Sequence, residues 1–243
     1  MKQPFLSLII PAYNEEQRLP NTLDRIIRFI EDQSFDSRVW VVDNASTDAT
    51  PEIISDYESR ISWVQGIREP EPGKGAAVRR GMLAARGQFR FMADADLSMP
   101  IEEITRFLPP RLEDFDIAIA SREAEGAVRY GEPAYRHWGG RMMNVFIRAL
   151  ALPGLQDTQC GFKCFSAQAA EDLFRYQTLD GWSFDIEILS IARLRGYRIV
   201  EIPIPWYFNP ETKVSAVKDA LKMLTDILQI RNNHRLGVYE QEN

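Results

Sequence analysis

The sequence predicts a single α/β domain with a mostly parallel sheet flanked by helices. Two observations carry that expectation. Short apolar runs of strand length alternate with helical patterns through the first two-thirds of the chain, as β-α units do. Three polar clusters, each directly after an apolar run, then fall where such folds place their chemistry, at the carboxyl ends of the strands. A chain of 243 residues fits one large domain. No internal repeat or low-complexity linker divides it, so the domain is expected to span residues 1–243.

Phe5 to Ile10 is the first strand run, closed by Pro11. Leu19, Leu23, Ile26, Ile27 and Ile30 then recur at helical spacing on one face. Val39 to Val42 is a buried strand ending at Asp43, and Asp48 and Thr50 are placed to cap a helix beginning near Pro51. Ser62 to Ile67 reads as a strand, Ala76 to Ala85 as a helix, and Phe89 to Ala93 as a fourth strand. Ile101 to Leu108 is helical and Ile117 to Ala120 is a fifth strand. From Arg122 the pattern changes. Ala124 to Gly140 reads as a loop, Arg141 to Leu152 as an apolar helix, Gly161 to Phe165 as a strand, and Ala167 to Phe174 and Phe184 to Arg195 as helices. Arg198 to Ile202 is the last strand, followed by a stiff Pro203-Ile204-Pro205 turn. The final amphipathic helix carries Val217, Leu221, Leu224 and Leu228.

Composition narrows the function classes. Hydrophobic residues at 45% and charged residues at 26% are those of an ordinary globular protein. The net charge of -6 is unsuited to non-specific nucleic-acid binding, so no nucleic-acid partner is expected. Cys160 and Cys164 have neither zinc nor redox spacing and read as reduced, buried thiols. No stretch approaches the roughly 18 apolar residues of a membrane span, and no signal-peptide pattern opens the chain. The expected location is cytoplasmic, with peripheral contact at the inner face of a membrane as the alternative.

Asp94-Ala95-Asp96 follows the fourth strand, and in an extended segment both carboxylates project on one side. That suits a hard cation, Mg²⁺ or Mn²⁺, which itself holds a diphosphate; a helix start ahead of Pro100 is the competing structural reading. Asp43 is placed to accept a proton from a nucleobase, or to hold an Asx-turn over Asn44 to Thr47. Gly73-Lys74-Gly75 offers a close backbone and one ammonium to a phosphate, but neither a Walker loop nor a Gly-x-Gly-x-x-Gly fingerprint is present. Kinase and dehydrogenase readings thereby lose their main support.

Leu8-Ile9-Ile10-Pro11-Ala12-Tyr13-Asn14-Glu15-Glu16, Val41-Val42-Asp43-Asn44-Ala45-Ser46-Thr47-Asp48 and Asp94-Ala95-Asp96 together resemble the inverting family 2 glycosyltransferases. The Gly73 to Gly81, Asp157 to Lys163 and Trp182 to Leu189 segments are similar to the dolichyl-phosphate (polyprenyl-phosphate) beta-glucosyltransferase branch. After Asp96 that branch often reads Gly-Ala-Thr, whereas this chain has Leu97-Ser98-Met99-Pro100. The resemblance implies the nucleotide-sugar fold called GT-A, with a nucleotide-sugar-binding half at about 5–120 and an acceptor-side half at about 121–235. It implies that Pro11, Tyr13 and Glu15 line the base and ribose pocket and that Asp43 reads the base. Lys74 and Arg122 would meet the diphosphate, Asp94 and Asp96 the metal, with Asp96 the more direct ligand, and Asp185 falls where the family keeps its catalytic Asp.

The implied reaction moves a hexose, glucose favoured, from a nucleoside-diphosphate sugar to a polyprenyl phosphate. UDP-glucose is the favoured donor and GDP-mannose the alternative. A phosphate acceptor is already an anion and needs no strong base. Arg122, Arg129, Arg136, Arg141 and Lys213 are candidates to hold it, and the 141–152 helix, with Arg141, Asn144 and Arg148 on a polar stripe, is a candidate membrane-facing element. A soluble hydroxyl acceptor would instead require a base, for which Asp185 is the choice. A silent nucleotide-sugar-binding or scaffold protein is the reading of a different class. Intact Asp43, Asp94, Asp96 and Asp185 weigh against it.

Overall fold

The computed structural model describes residues 3–133, 152–209 and 216–240, the last stretch with side chains from residue 222. In chain order the elements are β1 (Leu6–Ala12), α1 (Leu19–Glu31), β2 (Ser37–Asp43), α2 (Thr50–Arg60), β3 (Val64–Arg68), α3 (Lys74–Ala84) and β4 (Phe89–Ala93). A 3-10 helix (Ile101–Phe107), β5 (Ile117–Ser121) and β6 (Val128–Tyr130) follow. Then come β7 (Phe162–Ser166), α4 (Ala167–Arg175), α5 (Phe184–Leu194), β8 (Ile199–Pro203), β9 (Pro205–Tyr207) and α6 (Ala216–Arg235). The helix expected at 141–152, with Arg136, Arg141, Asn144, Arg148 and Lys213, lies outside the described residues save for Leu152.

Seven strands form one sheet in the order β3-β2-β1-β4-β7-β5-β8. β1 pairs in parallel with both β2 and β4, so the chain moves outward in one direction and then returns to the other side of β1. That reversal opens a crevice beyond the carboxyl ends of β1 and β4, the usual ligand position in open α/β sheets. β7 runs antiparallel to β4 and β5. Its amino end therefore reaches the same sheet edge as the carboxyl ends of its neighbours.

The strands read as continuous apolar runs because both faces are covered. With period two, Leu8 and Ile10, Val41, Phe91, Ala118 and Ala120 point to one core, shared with α1, α2 and the 3-10 helix. Ile9, Val42, Met92, Ile117 and Ile119 point to the other, shared with α3, α4, α5 and α6. α3 lies close on the sheet: a Cβ on Gly81 would come within 2.5 Å of Ile9 Cγ2.

The helix expected from Ile101 to Leu108 is present as a 3-10 helix, with Ile101, Ile104 and Phe107 buried at every third position. Three local expectations are corrected. Asp48 Oδ1 does accept the Thr50 N–H at 3.0 Å, but the Thr50 hydroxyl turns away from α2 to accept the N–H of Glu15 at 2.8 Å. Pro203-Ile204-Pro205 is not a free turn: Pro203 ends β8, and Pro205 begins β9, which pairs with β6 inside the expected loop. Finally, α6 buries Met223, Ile227 and Ile230, whereas Leu224 and Leu228 are exposed. Two apolar stripes compete on that helix, and packing on α5 selects the one the sequence reading did not choose.

Candidate active site

Three loops after β1, β2 and β4 carry a left-handed residue that is not glycine: Asn14 at φ 50°, Ala45 at φ 56° and Leu97 at φ 44°. Asn tolerates this conformation, but Ala and Leu adopt it at a cost, and such strain gathers at functional sites. The first two loops are tied together. Asn14 N–H donates to Ser46 Oγ at 3.0 Å, and Thr47 N–H donates to Asn14 Oδ1 at 2.9 Å. Glu16 N–H donates to Asp48 Oδ2 at 3.1 Å, and Ala49 N–H returns to Glu16 Oε2 at 3.0 Å.

Asp43, the last residue of β2, sits beneath this knit. Its Oδ1 accepts the Ser46 N–H at 3.1 Å, which is the Asx-turn. Its Oδ2 is buried without a hydrogen-bond partner, and the nearest cation, Arg68 Nε, is 3.9 Å away. A buried acceptor left open is costly unless something else supplies the donor. Pro11 is half-buried near the end of β1 and Tyr13 is exposed beyond it. Glu15 faces Arg18 at 3.3 Å.

Lys74 opens α3, and its Nζ lies 2.6 Å from Asp94 Oδ1. Burial disfavours its charge, but Asp94, then Asp185 and Asp96, more than offset this and raise its pKa. Asp96 is pushed up by burial and by the Asp94 charge, while its Oδ1 accepts the Ser98 N–H at 2.9 Å. The two glycines flanking Lys74 do not hold space for a phosphate. A Cβ on Gly73 would come 2.1 Å from Asp180 O, and one on Gly75 2.7 Å from Leu179 O. The Gly73 N–H is also taken, by Asn44 Oδ1 at 2.8 Å. The glycines seat α3 against the 179–184 segment, and only the lysine's ammonium faces the carboxylates. That segment is fixed in turn by buried Glu187, which accepts N–H donors from Thr178 and Leu179 and the hydroxyl of Tyr239 at 2.7 Å.

Asp185 is the second residue of α5, where the helix dipole favours a carboxylate. It does not stand free. Lys163, 1% exposed on β7, places Nζ 2.6 Å from Asp185 Oδ1 and donates to Cys160 O at 2.6 Å. Burial pushes the Asp185 carboxyl up, and the Lys163 and Lys74 ammonium groups pull it back. Gly161 completes the wall: its carbonyl accepts the Asp94 N–H at 3.1 Å, and a Cβ there would come 1.9 Å from Asp94 Oδ2.

Arg122 follows β5 and is held by Asp157, which accepts from its Nε at 2.6 Å and its Nη2 at 2.9 Å. The donors left for an anion are the two N–H groups of Nη1 and the second N–H of Nη2. Burial alone would raise Asp157, but the Arg122 charge and hydrogen bonds hold it below the usual carboxylate range. Arg129, a candidate for the acceptor, is engaged by Glu123 and Glu132.

Lys74, Asp94, Asp96 and Asp185 therefore share one cluster, Asp43 sits under the neighbouring loop knit, and Arg122 is held on Asp157, which also feels the charge of Lys163. The sequence assigns no site role to Lys163, Gly161 or Trp182. Trp182 is 42% exposed, with Lys74 Nζ 5.1 Å from its ring centre. Lys163 had a readable signal, a charged residue within the apolar Phe162 to Phe165 strand, which must be paired once buried. Among the described residues no three His, Cys, Asp or Glu side chains converge as a metal cage.

The family model described as "Glycosyl transferase family 2" matches residues 7–174. A dolichyl-phosphate beta-glucosyltransferase of Dictyostelium discoideum is 30% identical over 250 residues, covering 97% of this chain and 76% of that protein. One from Trichomonas vaginalis, ALG5D, is 34% identical and covers 98% and 76%. The Homo sapiens enzyme of that name is 30% identical and covers 98% and 78%. Among solved structures, Mycobacterium tuberculosis glucosyl-3-phosphoglycerate synthase with UDP superposes at a TM-score of 0.65, with 18% identity, over 94% of this chain and 80% of that one. The same enzyme with Mn²⁺, UDP-glucose and phosphoglyceric acid gives 0.63 at 17% identity, over 94% and 80%. These neighbours have the GT-A architecture expected from the sequence.

Proposed function

This chain belongs to glycosyl transferase family 2, and from that membership we propose that it transfers glucose from UDP-glucose to the phosphate of a polyprenyl lipid. The relatives named dolichyl-phosphate beta-glucosyltransferase support the acceptor class and the sugar. The observation that carries the reading in this chain is the pairing of Asp185 with Lys163 in the site wall. A hydroxyl acceptor needs a proton acceptor, and the carboxylate in the expected position is already engaged by a buried ammonium. An anionic phosphate oxygen needs none.

In the proposed reaction the acceptor phosphate oxygen forms a bond to the anomeric carbon as the bond from that carbon to the donor diphosphate breaks. The electron pair leaves on UDP, and the configuration inverts. Asp94 and Asp96 would hold a Mg²⁺ or Mn²⁺ ion. Two carboxylates, with phosphate oxygens and water completing the shell, are the usual set for Mg²⁺ carried by a nucleotide. Burial and then the Asp94 charge raise Asp96, and a bound cation would offset both. When bound, the ion neutralises the charge that develops on the leaving diphosphate. Lys74 contributes a second positive charge at the same place, and the buried Asp185–Lys163 pair fixes the wall beside it.

Asp43 supports the uracil base. One of its oxygens is engaged by Ser46 and one is open. That matches the single imide N–H of uracil better than the two adjacent donors of guanine, which call on both carboxylate oxygens. Pro11, Tyr13 and Glu15 would line the same pocket. Titration calorimetry with Mn²⁺ tests the assignment: UDP should bind at least about tenfold more tightly than GDP, and Asp43→Ala should remove the preference. Equal affinities, or a preference for GDP, would overturn it.

No helix among the described residues is long and apolar enough to cross a membrane. Access to a polyprenyl acceptor is proposed to come through a surface that meets the bilayer, because the acceptor class of the relatives is a membrane lipid.

A further inference from the structure

Helix α6 turns the wrong face outward for a protein surrounded only by water. It buries Met223, Ile227 and Ile230, yet leaves Leu224 40% and Leu228 65% exposed. At about 3.6 residues per turn, Arg231 and Arg235 fall on the same side of the helix as those two leucines. Both arginines are exposed, and just past the helix Leu236 is 70% and Val238 42% exposed. A single exposed leucine is ordinary, but a row of them on one helix side marks an interaction surface.

Charge identifies the partner. The chain as a whole carries -6, so an anionic surface repels it unless a local face is basic. On the leucine side the exposed cations are Arg231 and Arg235, with His234 adjacent; the exposed Glu240 lies beside these three, so cations outnumber the acid there. Asp226 is buried and paired with Lys222 at 3.2 Å on the opposite side of the helix. Leucines followed by arginines on one side of a helix fit the acyl boundary and phosphates of an anionic bilayer.

Helix α6 also reaches the catalytic rim, through its other face: a Cβ on Gly181 would come 3.6 Å from Lys222 Cε, about half a turn round from Leu224, and the next residue is the exposed Trp182 that faces Lys74.

We infer that the outward face of α6 is a docking surface for an anionic lipid bilayer, with Leu224, Leu228 and Leu236 entering the acyl boundary and Arg231 and Arg235 meeting lipid phosphates. It rests on the reading that the acceptor is a membrane lipid, and it names the surface that brings the site to that lipid.

The test uses the full chain and sedimentation with vesicles of phosphatidylcholine, with and without phosphatidylglycerol. The wild-type protein should bind the anionic vesicles, and binding should weaken as salt rises. Leu224→Ser with Leu228→Ser, and separately Arg231→Gln with Arg235→Gln, should each lower that binding at least about tenfold while leaving the thermal midpoint unchanged, because these side chains are exposed. Both double variants should transfer sugar to a short-chain, water-soluble polyprenyl phosphate at the wild-type rate, but more slowly to a long-chain acceptor embedded in vesicles. No vesicle binding by the wild type, or variants that bind as it does, overturns the docking surface. So does a wild-type dimer that the leucine variants convert to monomer without a change in vesicle binding. Failure of both acceptors with a wild type that does bind vesicles would instead sink the acceptor reading and leave the docking surface supported.

Discussion

The Lys163 ammonium lies 2.6 Å from Asp185 Oδ1, and both side chains are buried. The pair joins the antiparallel strand β7 to the start of α5 across the floor of the site. Removing Lys163 leaves the buried Asp185 carboxylate without its hydrogen-bonded cation and with only the charge of Lys74 nearby. Lys163→Met should cost about 3–5 kcal/mol in urea denaturation at neutral pH. The double variant Lys163→Met with Asp185→Leu should recover most of that loss. A single variant within about 1 kcal/mol of wild type would show that the pair is not held as described.

Gly161 is fixed by its neighbour rather than by its own backbone. A Cβ there would come 1.9 Å from Asp94 Oδ2 and 2.3 Å from its Cγ, so Gly161→Ala must displace the first carboxylate of the Asp94–Asp96 pair. Affinity for UDP with Mn²⁺ should fall roughly 10- to 100-fold by calorimetry, with an unchanged far-ultraviolet dichroism spectrum. Unaltered affinity would mean that Asp94 takes no part in holding the donor.

The Asp157 carboxyl gives a pH signature. Arg122 holds it below the usual carboxylate range in the folded protein despite its burial. A group whose folded value is lowered contributes stability above its unfolded value, about 3.9, and loses it as pH falls through the folded value. Asp157→Asn should therefore be less stable than wild type at pH 7 by about 3 kcal/mol, and the gap in thermal midpoint should narrow as pH drops below about 4. A gap that stays constant down to strongly acidic pH would contradict the ion pair.

Both thiols should be inert in the native protein. Burial pushes Cys160 up to about 12 and Cys164 well above the ordinary thiol value. At pH 8 the Cys160 thiolate is then on the order of 10⁻⁴ of the thiol, before exclusion of the reagent is counted. A chromogenic disulfide should label neither cysteine until the chain unfolds, and then both. Rapid labelling of the native protein would show that the β7 region is open.

Much of this site was legible in the sequence because a parallel sheet exports its polar residues to one edge. Asp43, Asp94 and Asp96 each follow an apolar strand run directly, and that position alone marked them. Lys74 was legible as a cation next to glycines, but the purpose of the glycines was not. Their role is contact with the 179–184 segment, more than a hundred positions further along the chain, and spacing carries no trace of it. Lys163 left a trace, a charge inside an apolar run, but its partner did not show: only the antiparallel insertion of β7 between β4 and β5 brings it to Asp185. The outward leucines of α6 were misjudged because two apolar stripes fit the same helix, and only tertiary packing chooses between them.

Glucose transfer from UDP-glucose to a lipid phosphate at the Asp94–Asp96 pair is open to one direct assay. Radiolabelled UDP-glucose and GDP-mannose, incubated separately with the protein, Mg²⁺ or Mn²⁺ and a polyprenyl phosphate in detergent, test it most directly. Label should enter the organic phase from UDP-glucose and fall at least about 100-fold with Asp96→Ala, without loss of fold. Label from GDP-mannose alone, donor hydrolysis with no lipid product, or an Asp96→Ala variant as active as wild type would contradict it.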